Sequence, residues 1–203
     1  IGPPPHRPWF RKRFLIPEPP ARSKEHAALR ALGFSRAQQS GFHSPGLEVA
    51  PNGDLVAVFV PVSDTEQALA ITRLRFGADE WDYPEVFLDL PDVRDAAPTL
   101  WNDAGTLWFF WGSHRWESGF PFQWMNSRDS GATWSRVRFP LFVTPIGGHS
   151  AGPKAGIFRD GEGRIHLSSD AVEAASLQWL SDDGGATWRD PGGRTGGRHT
   201  AFV

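Results

Sequence analysis

The chain has 203 residues, 39% hydrophobic and 22% charged, with a formal net charge of −2 at pH 7. That balance is ordinary for a globular protein and offers no electrostatic basis for holding nucleic acid or an anionic membrane surface. There is no cysteine, so disulfides and thiolate metal sites are excluded, and no run approaches the roughly 18 apolar residues of a membrane span.

The aromatic content is lopsided, with 10 Trp and 15 Phe against one Tyr, and 22 Gly and 18 Pro favour short strands joined by tight turns. Residues 1–40 stand apart. Pro3–Pro5, Pro17, Pro19 and Pro20 together with Arg11-Lys12-Arg13 read as an extended, basic, solvated lead-in, with one or two helical turns over Ala27–Leu32.

From residue 41 to 203 the chain repeats. Ser44–Phe59, Ala97–Phe110 and Gly152–Leu167 each contain a proline, an apolar stretch, a polar turn with glycine and a second apolar run. Each reads as strand, hairpin turn, strand. A third strand follows at Ala68–Leu74, Phe122–Ser127 and Leu177–Ser181. The last two lead into near-identical octapeptides, Ser127–Trp134 and Ser181–Trp188, which share the pattern S-x-D-x-G-x-T-W and lie 54 residues apart. In the first unit the octapeptide has decayed to Gly77–Trp81. A fourth strand follows each Trp, as at Val137–Phe139. Four antiparallel strands per unit of this length form a β-propeller blade, so the expected fold is all-β. The octapeptide has a structural explanation: Ser and Asp side chains accept from turn amides, Gly supplies a positive φ, and Trp packs into the sheet interface. Three units fill residues 41 to about 191, and Arg198–Val203 reads as the first strand of a fourth. The chain is thus expected to be the N-terminal portion of a propeller of six or seven blades.

Propeller ligands bind over the central channel, where the innermost strand of each blade begins. The polar residues expected there are His43, Asp95 beside Arg94, His149, and the pair Arg198 and His199. The connection after the second strand of the second unit, Trp111–Glu117, offers tryptophans for sugar stacking and Arg115 for an acidic sugar. Asp170 holds the matching place in the third unit. His166 sits mid-strand and reads as structural, and His6 and His26 carry no signal. No spacing of His and Asp suggests a catalytic metal, and no cofactor is expected.

The S-x-D-x-G-x-T-W pattern resembles the Asp-box (BNR repeat) of the sialidase superfamily, and the resemblance covers residue 41 to the end. It implies a carbohydrate-active propeller with a periplasmic or extracellular location. Sialidases carry an arginine in Phe-Arg-Ile-Pro-x-Leu on the first strand of the first blade, and this chain has Phe42-His43-Ser44-Pro45-Gly46-Leu47 there. Phe14-Leu15-Ile16-Pro17 is an earlier near-match that lacks the strand following it. The resemblance places the superfamily's aspartate acid/base at Asp64, with Glu66 as alternative, while the only tyrosine, Tyr83, does not match the family's nucleophile.

Imidazole cannot reproduce the bidentate fork with which arginine clamps a carboxylate, but it titrates near neutral pH. The pattern is closer to sialidase-like propellers that use a catalytic histidine on rhamnose–glucuronate linkages. The leading expectation is cleavage of a terminal bond in an acidic, uronate-containing glycan, by hydrolysis or elimination. His43 and Asp64 would move protons, and Arg115, His149, Arg198 and His199 would bind substrate. The alternative is a non-catalytic propeller that binds glycan or protein, and an exo-sialidase comes third.

Overall fold

The computed structural model describes residues 12–38, 41–62, 68–90, 95–113 and 120–199. Eleven strands lie in these residues, in three antiparallel sheets. The first contains β1 (Gly41–Val49), β2 (Leu55–Val62), β3 (Leu69–Leu74) and β4 (Glu85–Leu88), hydrogen-bonded in that order. The second contains β5 (Asp95–Asp103), β6 (Thr106–Ser113) and β7 (Gln123–Ser127). The third contains β8 (His149–Arg159), β9 (Ile165–Ala171), β10 (Ala175–Ser181) and β11 (Arg194–Gly196). The fourth strand expected at Val137–Phe139 is reduced to a single bridge between Trp124 and Arg138. Of the strand expected at Arg198–Val203, residues 200–203 lie outside the described set.

Alternation explains how the sheets stack. Successive side chains of a strand point to opposite faces, so a strand covered on both sides reads as an unbroken apolar run. In β6, Leu107, Phe109 and Trp111 join Val56, Val58 and Val60 of β2 in one core. Trp108 and Phe110 face the other way, into a second core with Ile165, Leu167, Trp179 and Trp188. The middle sheet is therefore sandwiched between its neighbours, as a propeller blade is. The first sheet has one more cover. A helix α1 (Lys24–Ala31), capped by the Ser23 hydroxyl accepting from the His26 N–H at 3.1 Å, brings Leu29 with Ile16 and Phe34 onto Phe59 and Ala70.

The two octapeptides fold as superimposable turns. The Ser127 hydroxyl accepts from the Gly131 N–H at 2.7 Å, and Asp129 accepts from the Thr133 N–H and hydroxyl at 2.9 and 2.6 Å. Ser181 and Asp183 repeat this with Gly185 and Thr187 at 2.8, 2.8 and 2.6 Å. Each turn also touches the preceding sheet: Arg73 donates to the Ser130 carbonyl at 2.7 Å, and Gly185 lies against Trp108. The octapeptide is both a turn and a tie between blades.

The innermost strands share a distortion. Ser44, Ala97 and Gly152 have φ of 46°, 53° and 97°, each directly before a proline, and the register of β1, β5 and β8 slips at these points. Such bulges bend a strand and re-aim its side chains. Strand pairing then sets the ends of the blades. Gly41 pairs with Val62, Asp95 with Ser113 and His149 with Ala171, so the starts of the inner strands and the ends of their partners share one face. The S-x-D-x-G-x-T-W turns lie one strand length away, on the opposite face.

Candidate functional site at the inner-strand cleft

The bulged strands β1, β5 and β8 stand side by side and enclose a cleft of about 500 Å³. Ser44, Leu47, Pro98 and Trp101 line it on one side, Lys154 and Ile157 of β8 on another, and His199 also reaches it. The surface is mainly apolar, and the ionisable side chains lining it are Lys154, His199 and Glu48. An apolar concavity with a few convergent polar groups is the usual form of a small-ligand site.

Lys154 and His199 converge on one carboxylate. Asp170, near the end of β9, has a fully buried side chain. Its Oδ1 accepts from the His199 backbone N–H at 2.7 Å. Its Oδ2 lies 3.3 Å from His199 Nδ1, 3.3 Å from Arg198 Nε and 3.8 Å from Lys154 Nζ. A buried carboxylate is costly unless paired, and here up to three cationic groups surround it. The cluster carries net positive charge towards the solvent side, where Arg198 and His199 are 52% and 66% exposed. Nothing in the sequence singles out Lys154, because a lone lysine in a strand has many uses; only the fold brings it to Asp170.

The other candidates fall elsewhere. His43 lies in β1 opposite Val60, exposed, immediately before the cleft residue Ser44. His149 does not line the cleft. Its Nδ1 lies 3.0 Å from the Gly147 carbonyl and its ring meets Trp179 edge-on at 5.7 Å. That loop is held in turn by Asp190, which accepts from the Gly147 N–H at 2.9 Å and pairs with Arg194 at 2.7 Å. The Arg194 hydrogen bond pulls the Asp190 carboxyl down to about 2. Asp64, Glu66, Arg94, Arg115 and His6 lie outside the described residues. Tyr83 is exposed between β3 and the outer strand β4.

His166 has both ring nitrogens engaged, Nε2 with Asp160 at 2.8 Å and Nδ1 with Gln178, and its ring stacks on Phe158 at 4.5 Å. That contact, first among several, holds the Asp160 carboxyl below its usual range. The histidine thereby braces the β8–β9 hairpin. Among the described residues no group of three or more His, Asp or Glu side chains could hold a metal ion.

Three stacked antiparallel sheets, two of four strands and one of three, with their inner strands around a cleft define a β-propeller. Solved structures bear this out at the level of fold. The chain is similar to a protein of unknown function from Dyadobacter fermentans, with a TM-score of 0.55 and 17% identity over 73% of this chain and 54% of that one. It is also similar to a Trypanosoma rangeli sialidase mutant displaying trans-sialidase activity, with a TM-score of 0.54 and 17% identity over 77% of this chain and 31% of that one. An exo-β-1,3-galactanase from Clostridium thermocellum matches with a TM-score of 0.51 and 15% identity, over 70% and 35% respectively. The chain thus spans about half or less of the length of these proteins. The sequence itself matches no family model and no curated protein.

Proposed function

We propose that this chain is part of a carbohydrate-active propeller that takes an acidic glycan into the inner-strand cleft and cleaves a terminal glycosidic bond by histidine-centred acid–base chemistry. The observation that carries this reading is the cleft itself. Apolar walls and Trp101 suit the hydrophobic face of a sugar ring, and Lys154 supplies a positive charge and His199 a ring donor for a carboxylate. His43 is exposed and directly precedes Ser44 at the cleft, and imidazole is the side chain suited to proton transfer near neutral pH. Glycoside-cleaving activity in the sialidase and galactanase of similar fold agrees with a sugar substrate. The two S-x-D-x-G-x-T-W turns are read as Asp-boxes with an architectural role, since they lie on the face away from the inner-strand starts.

The reading is tested by presenting uronate-bearing and neutral oligosaccharides to the protein and measuring sugar release. Turnover confined to acidic substrates, reduced about 100-fold or more by His43→Ala, is the expected result. Undiminished turnover by the variant overturns the role of His43. Binding of acidic oligosaccharides with no turnover identifies a glycan-binding propeller instead.

A further inference from the structure

Cleavage of a glycosidic bond takes two groups, one to protonate the leaving oxygen and one to activate water. We infer that His199, oriented by the buried Asp170, is the proton donor at this cleft; the inference rests on the glycosidase reading above for its substrate, but not for its geometry. Three observations converge.

The first is the grip on the histidine. Asp170 accepts the His199 backbone N–H at 2.7 Å on one carboxylate oxygen, and its other oxygen lies 3.3 Å from the ring's Nδ1. A carboxylate accepts only from a protonated Nδ1, so in the proposal the ring carries its proton on that nitrogen and leaves Nε2 to exchange one. Asp170 then acts as a positioning residue, as a carboxylate does for the imidazole of a hydrolytic triad.

The second is exposure of the two partners. The Asp170 side chain is fully buried, and that of His199 is 66% exposed and lines the cleft. The carboxylate is thus withheld from solvent while the ring it orients is offered to a ligand.

The third is the backbone. His199 has φ of 61°, in the left-handed region that non-glycine residues avoid, and it directly follows Gly196, Gly197 and Arg198. A residue persists in such a conformation when its surroundings over-determine it, and here the constraint is its own N–H bound to Asp170. Lys154 and Arg198 share Asp170 Oδ2 with the ring, and Glu48 lines the same cleft.

In the reaction the imidazolium gives its Nε2 proton to the glycosidic oxygen as the bond to the anomeric carbon breaks, and the bonding pair goes to that oxygen. Water adds to the anomeric carbon and loses its proton to His43. Solvent returns a proton from His43 to His199, so that one water is consumed in each turnover.

Two measurements on the full chain test this. Long-range proton–nitrogen NMR of the ¹⁵N-histidine-labelled protein should show His199 keeping its proton on Nδ1 across the titration while Nε2 gains and loses one. Asp170→Asn should abolish that tautomer preference. A neutral His199 protonated on Nε2, or one unchanged by Asp170→Asn, overturns the inference even if no substrate is found. On an active substrate, His199→Ala should slow release from a sugar–sugar linkage about 100-fold or more, but slow 4-nitrophenyl glucuronide, whose leaving group needs no proton, by less than about tenfold. Equal losses on both, or none, also overturn it. If the NMR result holds while no glycan is cleaved, the glycosidase reading fails and the oriented histidine stands.

Discussion

Gly46 of β1 lies so close to Pro98 of β5 that a Cβ on the glycine would stand 2.7 Å from the Pro98 carbonyl oxygen. The contact joins the first two blades at the wall of the cleft, and both residues line it. The neighbour here is backbone, which cannot swing away as a flexible side chain would. Gly46→Ala is therefore expected to destabilise the protein by about 1–3 kcal/mol, the range for over-packing. Urea denaturation measures it; an unchanged midpoint would show that the blades separate easily.

The two octapeptide tryptophans occupy the same sequence position but different surroundings. Trp188 is fully buried and meets Phe110, Phe122 and Trp124, whereas Trp134 is partly buried against Phe87 and Phe109. Trp188→Ala should cost about 3–5 kcal/mol and Trp134→Ala roughly half of that. Chemical denaturation of both variants decides the order, and equal losses would contradict the burial seen here.

The octapeptide aspartates predict an acid transition. The Thr133 hydroxyl, followed by its N–H and the Ser127 hydroxyl, pulls the Asp129 carboxyl from 3.8 down to about 2, and Asp183 is lowered by the same set of bonds with Thr187. A carboxyl lowered in the folded state contributes its stabilisation fully above its unfolded value and loses it as pH falls through the folded one. The contribution should be complete above about pH 4 and fade towards pH 2. With Asp129→Asn and Asp183→Asn combined, the melting temperature should fall less steeply across that window. Parallel curves for wild type and variant would remove these groups from the acid response.

Lys154 should discriminate charged from neutral ligands. Its side chain is 19% exposed, lies beside Asp170 and lines the cleft. Lys154→Gln is expected to weaken binding of a glucuronate-bearing oligosaccharide roughly tenfold, the scale of one charge-assisted hydrogen bond, and to leave the neutral analogue nearly unaffected. Titration calorimetry with both ligands checks this, and equal weakening would mean that the lysine supports structure rather than binds.

Spacing alone carried the architecture. The apolar runs, the glycine turns and the 54-residue return of Ser127–Trp134 at Ser181–Trp188 are local patterns, and a blade is built from local patterns repeated. The same spacing puts histidines at comparable inner-strand starts, with His43 expected to move protons and His149 to bind substrate. The bulges before Pro45 and Pro153 separate the two positions: His43 is two residues ahead of its proline, His149 four, and His149 turns onto Trp179. A register slip depends on backbone strain and leaves little mark on composition.

What the sequence by itself determined is the blade: strand, turn, strand, and the octapeptide that locks each unit to the one before it. The assembly of Asp170, Lys154, Arg198 and His199 was decided by the tertiary structure. Asp170 and His199 are 29 residues apart on different segments, and no periodicity links them. A buried carboxylate needs partners wherever the fold can supply them, so pairing at that range is set by packing and desolvation rather than by neighbours in the chain.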